Sequence, residues 1–457
     1  MFQTGGERGN CAFPLFEFWV GVSAIAPSAA EAGLRVSACG TRLKIAPSWV
    51  KEFVWRNAIK KESSVLGRTG IACIVAALAL VASAHGDSLS SYKKQVAGGP
   101  AAQAIGMAID ALEAGELKRA EAASLKALTL APDEPHALAL LAEVEMRQGR
   151  QANALKYLQT AVAKNPKSAV AEEAMGRYLD EHREYPAAES AFKKVIALDP
   201  KWAAAQISLG DFYLARGQSA PALTAYRAAV AEDPKSGATH LALGLGMAAA
   251  GDAQNSEKEL RTAARLMPSS ARPHVALGNL LSLHGQDDQG ISEYQTALKL
   301  DPRNAGTYVL LGMAQKKGGH AELAEKAYRQ ALEIEPNNIV ALNNLAWIAM
   351  MTPERAGEAV GYAKKAAEAA PKMGQVLDTL GWAYHVNGEN ELASQTLKRG
   401  AAVAPEDPRL LYHLAVVYGA QGHKQEEQAT LKKALATNKP FPEMDDAKSR
   451  LADKGVS

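Results

Sequence analysis

The sequence predicts an all-α chain of ten stacked helix pairs closed by a short C-terminal helix. Three observations predict it. Prolines recur at Pro132, Pro166, Pro200, Pro234, Pro268, Pro302 and Pro336 at 34-residue intervals, and then at Pro371, Pro405 and Pro440. Units are numbered from Ala101 so that this proline is position 32 (33 in units eight and ten). Position 8 is then Ala or Gly in all ten. Position 15 is glycine in eight: Gly115, Gly149, Gly217, Gly251, Gly285, Gly319, Gly388 and Gly422. Such a period marks an array of supersecondary units, none of which can bury its apolar face alone.

In chain order, residues 1–55 show no clear hydrophobic period. They are expected to be a disordered extension or a gene-start artefact, since an export signal normally starts a few residues before its apolar core; the next methionine after Met1 is Met107, so a later start would need a non-Met codon. Over 56–84, Lys60, Lys61 and Arg68 precede the apolar run Ile71–Ala84, which ends in Ala82-Ser83-Ala84. A positive start, a short apolar core and an A-x-A end are the parts of an export signal. Cleavage after Ala84 is expected, placing the mature protein in the periplasm or cell envelope. The alternative is an inner-membrane anchor, although the run is short of the roughly 20 apolar residues of a spanning helix. Val36-Ser37-Ala38-Cys39 has lipobox lettering, but Glu31 and Arg35 interrupt the apolar run it would need. Residues 85–100 read as a linker.

The array occupies 101–442. Glycine at position 15 suits a left-handed residue just past helix A of each unit, and the position-32 proline stops helix B. Small residues at 8, 20 and 27 let helices approach closely, and Phe192, Tyr213, Tyr226, Tyr294, Tyr328 and Tyr384 fill the remaining space. Pro186 and Pro221 fall near the start of helix B, Pro135 and Pro408 near the start of helix A, where a missing N–H is tolerated. Arg183 and Pro353 replace the position-15 glycine, and unit eight carries an extra residue around Met350–Glu354. There Thr352-Pro353 looks like an N-cap followed by a first-turn proline. In the tail, 443–457, Met444, Ala447 and Leu451 share one helical stripe, as a capping helix requires.

Leu209-Gly210-x-x-Tyr213, Ala222-x-x-x-Tyr226 and Pro234 resemble the tetratricopeptide (TPR) pattern, as do Leu380-Gly381-Trp382-Ala383-Tyr384, Ala393 and Pro405. The resemblance implies a right-handed superhelical solenoid whose concave groove is lined by positions 2, 5, 9, 12 and 13. Positions 5 and 9 share a helix face. They read Ala139/Glu143, Glu173/Arg177, Ile207/Asp211, Leu241/Leu245, Val275/Asn279, Val309/Met313, Asn343/Trp347, Asp378/Trp382 and Tyr412/Val416. The groove thus begins charged, turns apolar and ends aromatic. Asn279, Met313, Asn343, Trp347, Asp378, Trp382, His385, Arg409 and Tyr412 are the candidate binding residues, because Trp and Tyr anchors often dominate binding energy. The competing expectation is that Trp347 and Trp382 only pack between adjacent A helices. No unit has lysine at position 5, so the carboxylate clamp of TPR co-chaperones is not expected. Asn344 stands at position 6 without the rest of that clamp.

Other chemistry finds little support. The 457 residues carry a net charge of +2, with 47% apolar and 22% charged residues, which argues against general disorder and a multi-span membrane protein. Near-neutral charge argues against a nucleic-acid partner. All three cysteines precede residue 85. The histidines of the array, His136, His182, His240, His274, His284, His320, His385, His413 and His423, are scattered without metal-ligand spacing. No P-loop, nucleophile elbow or dinucleotide fingerprint is present. Charge runs such as Glu426-Glu427 and Lys432-Lys433 are read as solvated faces. Catalysis, cofactors and metals are not expected; other proteins are the expected partners, with membrane contact only through 71–84 if it is uncleaved. The phrases LNNLAW (342–347), LDTLGW (377–382) and YHLA (412–415), with the 439–451 segment, are similar to TPR proteins of bacterial envelope and exopolysaccharide export, some associated with PEP-CTERM/exosortase sorting. That similarity implies a scaffold for polysaccharide or protein export. A membrane-anchored assembly factor (pilus or cytochrome maturation type) and a regulatory subunit of an enzyme in another chain are the alternatives.

Overall fold

The structure is a computed structural model that describes Tyr92, residues 98–99 and residues 101–452. The extension expected over 1–55, the export segment over 56–84 and most of the 85–100 linker lie outside the described residues. Among the described residues all regular structure is helical, and no helix is long and apolar enough to cross a membrane. They form two compact units, divided between His284 and Gly285.

The N-terminal unit holds eleven helices: α1 (Ala102–Glu113), α2 (Leu117–Leu130), α3 (Pro135–Arg147), α4 (Gln151–Lys164), α5 (Ala169–Glu181), α6 (Tyr185–Leu198), α7 (Ala203–Leu214), α8 (Ser219–Glu232), α9 (Gly237–Ala249), α10 (Ala253–Leu266) and α11 (Arg272–Leu283). Odd-numbered helices are helix A of their repeats and even-numbered ones helix B. α1, α3, α5, α7 and α9 each pack on the B helix that follows, and A helices of neighbouring repeats touch (α1 with α3, α3 with α5, α7 with α9, α9 with α11). The C-terminal unit holds α12 (Asp287–Leu300), α13 (Ala305–Lys317), α14 (Ala321–Ile334), α15 (Ile339–Met350), a 3₁₀ turn (Pro353–Arg355), α16 (Ala356–Ala369), α17 (Gly374–Val386), α18 (Asn390–Val403), α19 (Pro408–Ala420), α20 (Lys424–Ala436) and α21 (Met444–Ala452). Here α15, α17 and α19 are adjacent A helices.

The repeat punctuation acts as its chemistry demands. All eight position-15 glycines have positive φ, between 71° and 85°, in the left-handed conformation that releases the chain from helix A. Arg183 takes the same conformation with φ 67°, so the backbone path survives loss of the glycine. The B helices α2 to α18 stop two residues before the repeat's proline, whose ring disfavours helical geometry in the preceding residue, whereas α20 ends at Ala436, four residues before Pro440. Position 8 is small because a large side chain crosses it: a Cβ on Gly210 would lie 2.4 Å from the Tyr226 ring, and one on Gly381 2.5 Å from Leu397. Tyr226, Tyr294 and Tyr328 are fully buried, each contributing roughly 1.5–3 kcal/mol of apolar burial. Tyr213 is only partly buried. Ser168, Asn304 and Asn338 accept hydrogen bonds from the N–H groups of Ala171, Thr307 and Ala341, capping α5, α13 and α15.

Two local expectations are corrected. Thr352 makes no side-chain cap bond, and Pro353 opens the 3₁₀ turn rather than α16. The extra residue of unit eight is taken up in that tighter turn before the α-helix begins at Ala356. Glu427 is not on a solvated face: it is 1% exposed, because position 20 of its repeat faces α19 beside Gly419. Its charge has Arg450 of α21 at 3.7 Å. Glu426, Lys432 and Lys433 are exposed. Met444 and Leu451 lie partly buried and Ala447 fully buried, in one apolar cluster with Leu411, Val416, Leu431 and Phe441.

Candidate functional site

In the C-terminal unit the residues at positions 5 and 9 of α15, α17 and α19 come together around a side chain from position 6. Trp347 and Trp382 are both half-buried. Trp347 donates its indole N–H to Thr379 Oγ1 at 3.1 Å. Thr379, in turn, donates its hydroxyl to the Gln375 carbonyl one turn back, at 3.1 Å. The Arg409 guanidinium lies 4.4 Å above the centre of the Trp347 ring, a cation–π contact. Trp382 stacks on the His413 imidazole at 4.2 Å and meets His385 at 4.8 Å. His413 also approaches Trp347, at 6.1 Å. The imidazole is 1% exposed, and its Nδ1 lies 2.7 Å from Asp378 Oδ1. His385 pairs with Asn390 at 2.6 Å.

Burial, and then the charge of nearby Asp378, push the Asp407 carboxyl above its ordinary value. Asp407 nevertheless caps α19 by accepting from the N–H groups of Arg409 and Leu410. A cluster with two neighbouring carboxyls, an aromatic wall and one cation over an indole face suits a segment offering polar and aromatic groups. Among the described residues, no group of three or more His, Cys, Asp or Glu side chains is placed to hold a metal ion.

The nine candidate residues divide. Asn343, Trp347, Trp382, His385 and Arg409 are partly exposed, and the Asn343 side-chain oxygen has no hydrogen-bond partner among the described residues. Asp378 is buried and tied to His413. Met313 is 8% exposed within an apolar cluster with Val309, Tyr328 and Val340, so it belongs to the core rather than the groove surface. Tyr412 is 7% exposed: its hydroxyl donates to Asp446 of α21 at 2.6 Å and its ring meets Phe441. It packs beneath α21 because the terminal repeat has no following A helix to cover it. Burial, and then Asp446, hold its phenol well above the ordinary value. Asn279 is 8% exposed and lies in the N-terminal unit. Each tryptophan therefore packs against the next A helix while keeping part of its ring open.

Sequence reading passed over His413 and Thr379. A usable signal was register: both stand at position 6, one repeat beyond the tryptophan they touch.

The charged groove of the N-terminal unit is also organised. Glu173 is fully buried, accepting from Arg177 at 3.2 Å and from Ser208 at 3.2 Å. Arg177 reaches Glu143 at 3.5 Å, and Arg147 bonds Glu143 at 2.6 Å. Burial alone would lower the basicity of Arg177, yet Glu173, Tyr92 and Glu143 raise it. Tyr92, from ahead of the array, inserts here: it is 1% exposed and donates its hydroxyl to Glu173 at 2.6 Å.

Tetratricopeptide repeat family profiles match residues 105–169 and 173–237 and residues 305–338. Among solved structures, the chain is similar to the APC/C hetero-tetramer Cut9-Hcn1, at 14% identity over 81% of this chain and 98% of that one, with a TM-score of 0.41. It is similar to MamA at 27% identity, over 36% of this chain and 95% of that one, TM-score 0.33. A tetratricopeptide repeat protein from Parabacteroides merdae is 19% identical over 54% of this chain and 98% of that one, TM-score 0.41. No curated protein matches the sequence.

Proposed function

We propose that this chain, which carries tetratricopeptide repeats in both of its units, is a non-catalytic scaffold that binds segments of other proteins. The observation that carries this reading is the pair of half-exposed tryptophans, Trp347 and Trp382, one repeat apart on adjacent A helices. Trp347 is pinned at its N–H edge to Thr379, and Trp382 is pinned on one face by His413. Rigid aromatic surface of this kind gives contact area at low entropic cost. Arg409, over the Trp347 ring, adds a cation beside the aromatic surface for the polar groups of an extended or helical segment.

The setting we propose is the cell envelope, with the scaffold assisting assembly of a polysaccharide or protein export system. The motif similarity of 342–347, 377–382 and 412–415 supports this, together with the basic residues, apolar run and Ala-Ser-Ala ending of 56–84. A second reading, an inner-membrane-anchored assembly factor, follows if Ile71–Ala84 is retained in the mature chain. N-terminal sequencing of the protein from membrane and soluble envelope fractions separates the two. For the groove itself, partner recovery on the purified full chain is compared with that on a Trp347→Ala, Trp382→Ala double variant. Loss of most of the bound partner is expected. Unchanged recovery, with a native circular dichroism spectrum, would sink the assignment.

A further inference from the structure

The pocket around Tyr92 in the N-terminal unit is distinct from the tryptophan site and is already filled by the chain itself. Its walls come from three repeats: His136 of α3, Glu173 and Arg177 of α5, and Ser208 of α7, with Trp202 from the turn before α7. The Tyr92 ring stands edge-on to His136 at 5.8 Å and tilted against Trp202 at 6.1 Å. Its hydroxyl donates a hydrogen bond to the Glu173 carboxylate, which also accepts from Arg177 and Ser208. A buried hydroxyl-to-carboxylate bond is among the stronger neutral-to-charged hydrogen bonds. Nine residues separate Tyr92 from the start of α1 at Ala102, and Gly98 and Gly99 in between are exposed. The tyrosine thus reaches the groove as a tethered ligand and is not part of a repeat.

Tyr92 also leaves the pocket incompletely satisfied. The Trp202 indole N–H is buried with no acceptor, and His136 Nε2 is buried with no partner, among the described residues. Burying such groups unpaired is costly. An occupant that carried a tyrosine and also presented a backbone carbonyl to Trp202 would match the site better than Tyr92 does.

We infer that the N-terminal unit contains a tyrosine-binding site, held in cis by Tyr92, that exchanges this residue for a tyrosine-bearing segment of a partner protein. Tethering gives Tyr92 a high effective concentration, so an incoming segment competes against a built-in plug. The hydroxyl donates to a carboxylate, Glu173, with Arg177 beside it, so the site suits an unmodified tyrosine; a phosphotyrosine would lose that donor and meet the charge of Glu173.

The test uses the full chain and a fluorescent peptide with the sequence of residues 87–99. Tyr92→Ala is expected to bind this peptide at least about tenfold more tightly than the wild type does. Tyr92→Phe, which loses one oxygen and keeps the ring, falls between them. Replacing the peptide's tyrosine by phenylalanine, or phosphorylating it, is expected to weaken binding to Tyr92→Ala by about tenfold or more. The inference is overturned by equal peptide affinity for wild type and a natively folded Tyr92→Ala, or by indifference to the peptide's hydroxyl. The Trp347→Ala, Trp382→Ala variant should keep wild-type peptide affinity, so this site and the tryptophan site fail independently.

Discussion

His413 and Asp378 meet at 2.7 Å with side chains only 2% and 9% exposed. Truncating the histidine would strand a buried carboxylate and remove the stacking partner of Trp382. His413→Ala is therefore expected to destabilise the C-terminal unit by about 3 kcal/mol. Asp378→Asn in that background should recover part of the loss, because the uncompensated charge is gone. Urea denaturation of the two variants checks this, and a loss below about 0.5 kcal/mol for His413→Ala would count against the pair. Little at this scale was legible beforehand. Trp347 and Trp382 stood out by residue type and recurrence, but His413 was one histidine among many. What makes it important is a neighbour in the next repeat, which a position list does not display.

Among elements, the 3₁₀ turn at Pro353–Arg355 shows how the array accommodates an insertion. Arg355 bonds Glu325 of α14 at 2.6 Å and Glu358 of α16 at 2.7 Å. Arg329 joins the same two carboxylates at 2.8 and 2.7 Å. Hydrogen bonds from Arg355 are the chief reason that Glu325 and Glu358 titrate below the ordinary 4.5. A carboxyl that is more acidic in the folded chain stabilises the fold fully above its ordinary value. That contribution is lost as pH falls through the depressed native value. The melting temperature of wild type should exceed that of Arg355→Ala at about pH 7, and the gap should close towards about pH 3. A constant gap across that range would refute the linkage, and partial exposure of the group keeps its size modest. Helix boundaries were the most legible feature of all: glycine and proline act through the backbone, which needs no knowledge of neighbours. The insertion was visible too, but its 3₁₀ geometry was not, because Thr352 offered a cap that the tighter turn does not use.

For the whole molecule, stability is shared among neighbouring helices, so a terminal repeat needs a cover. Met444, Ala447, Leu451 and Phe441 lie against the apolar side of α19 and α20, and Asp446 secures Tyr412. Deleting residues 441–457 should lower the thermal midpoint and increase binding of an apolar dye. Unchanged melting and dye binding would remove the capping role. The repeat architecture was readable because ten copies of one pattern reinforce each other. The filling of the N-terminal groove was not, since it depends on a lone tyrosine outside the repeats, with no periodic partner to reveal it.

Glu173 follows Tyr92 by 81 residues, and this sets an order of events during synthesis. Chains emerge from the ribosome amino end first, and early portions begin to fold before later ones exist. The stretch around Tyr92 is thus on display until translation has delivered α5 and then α7. Any targeting or processing factor that recognises this stretch has that interval in which to act before the newly made groove withdraws the tyrosine from view.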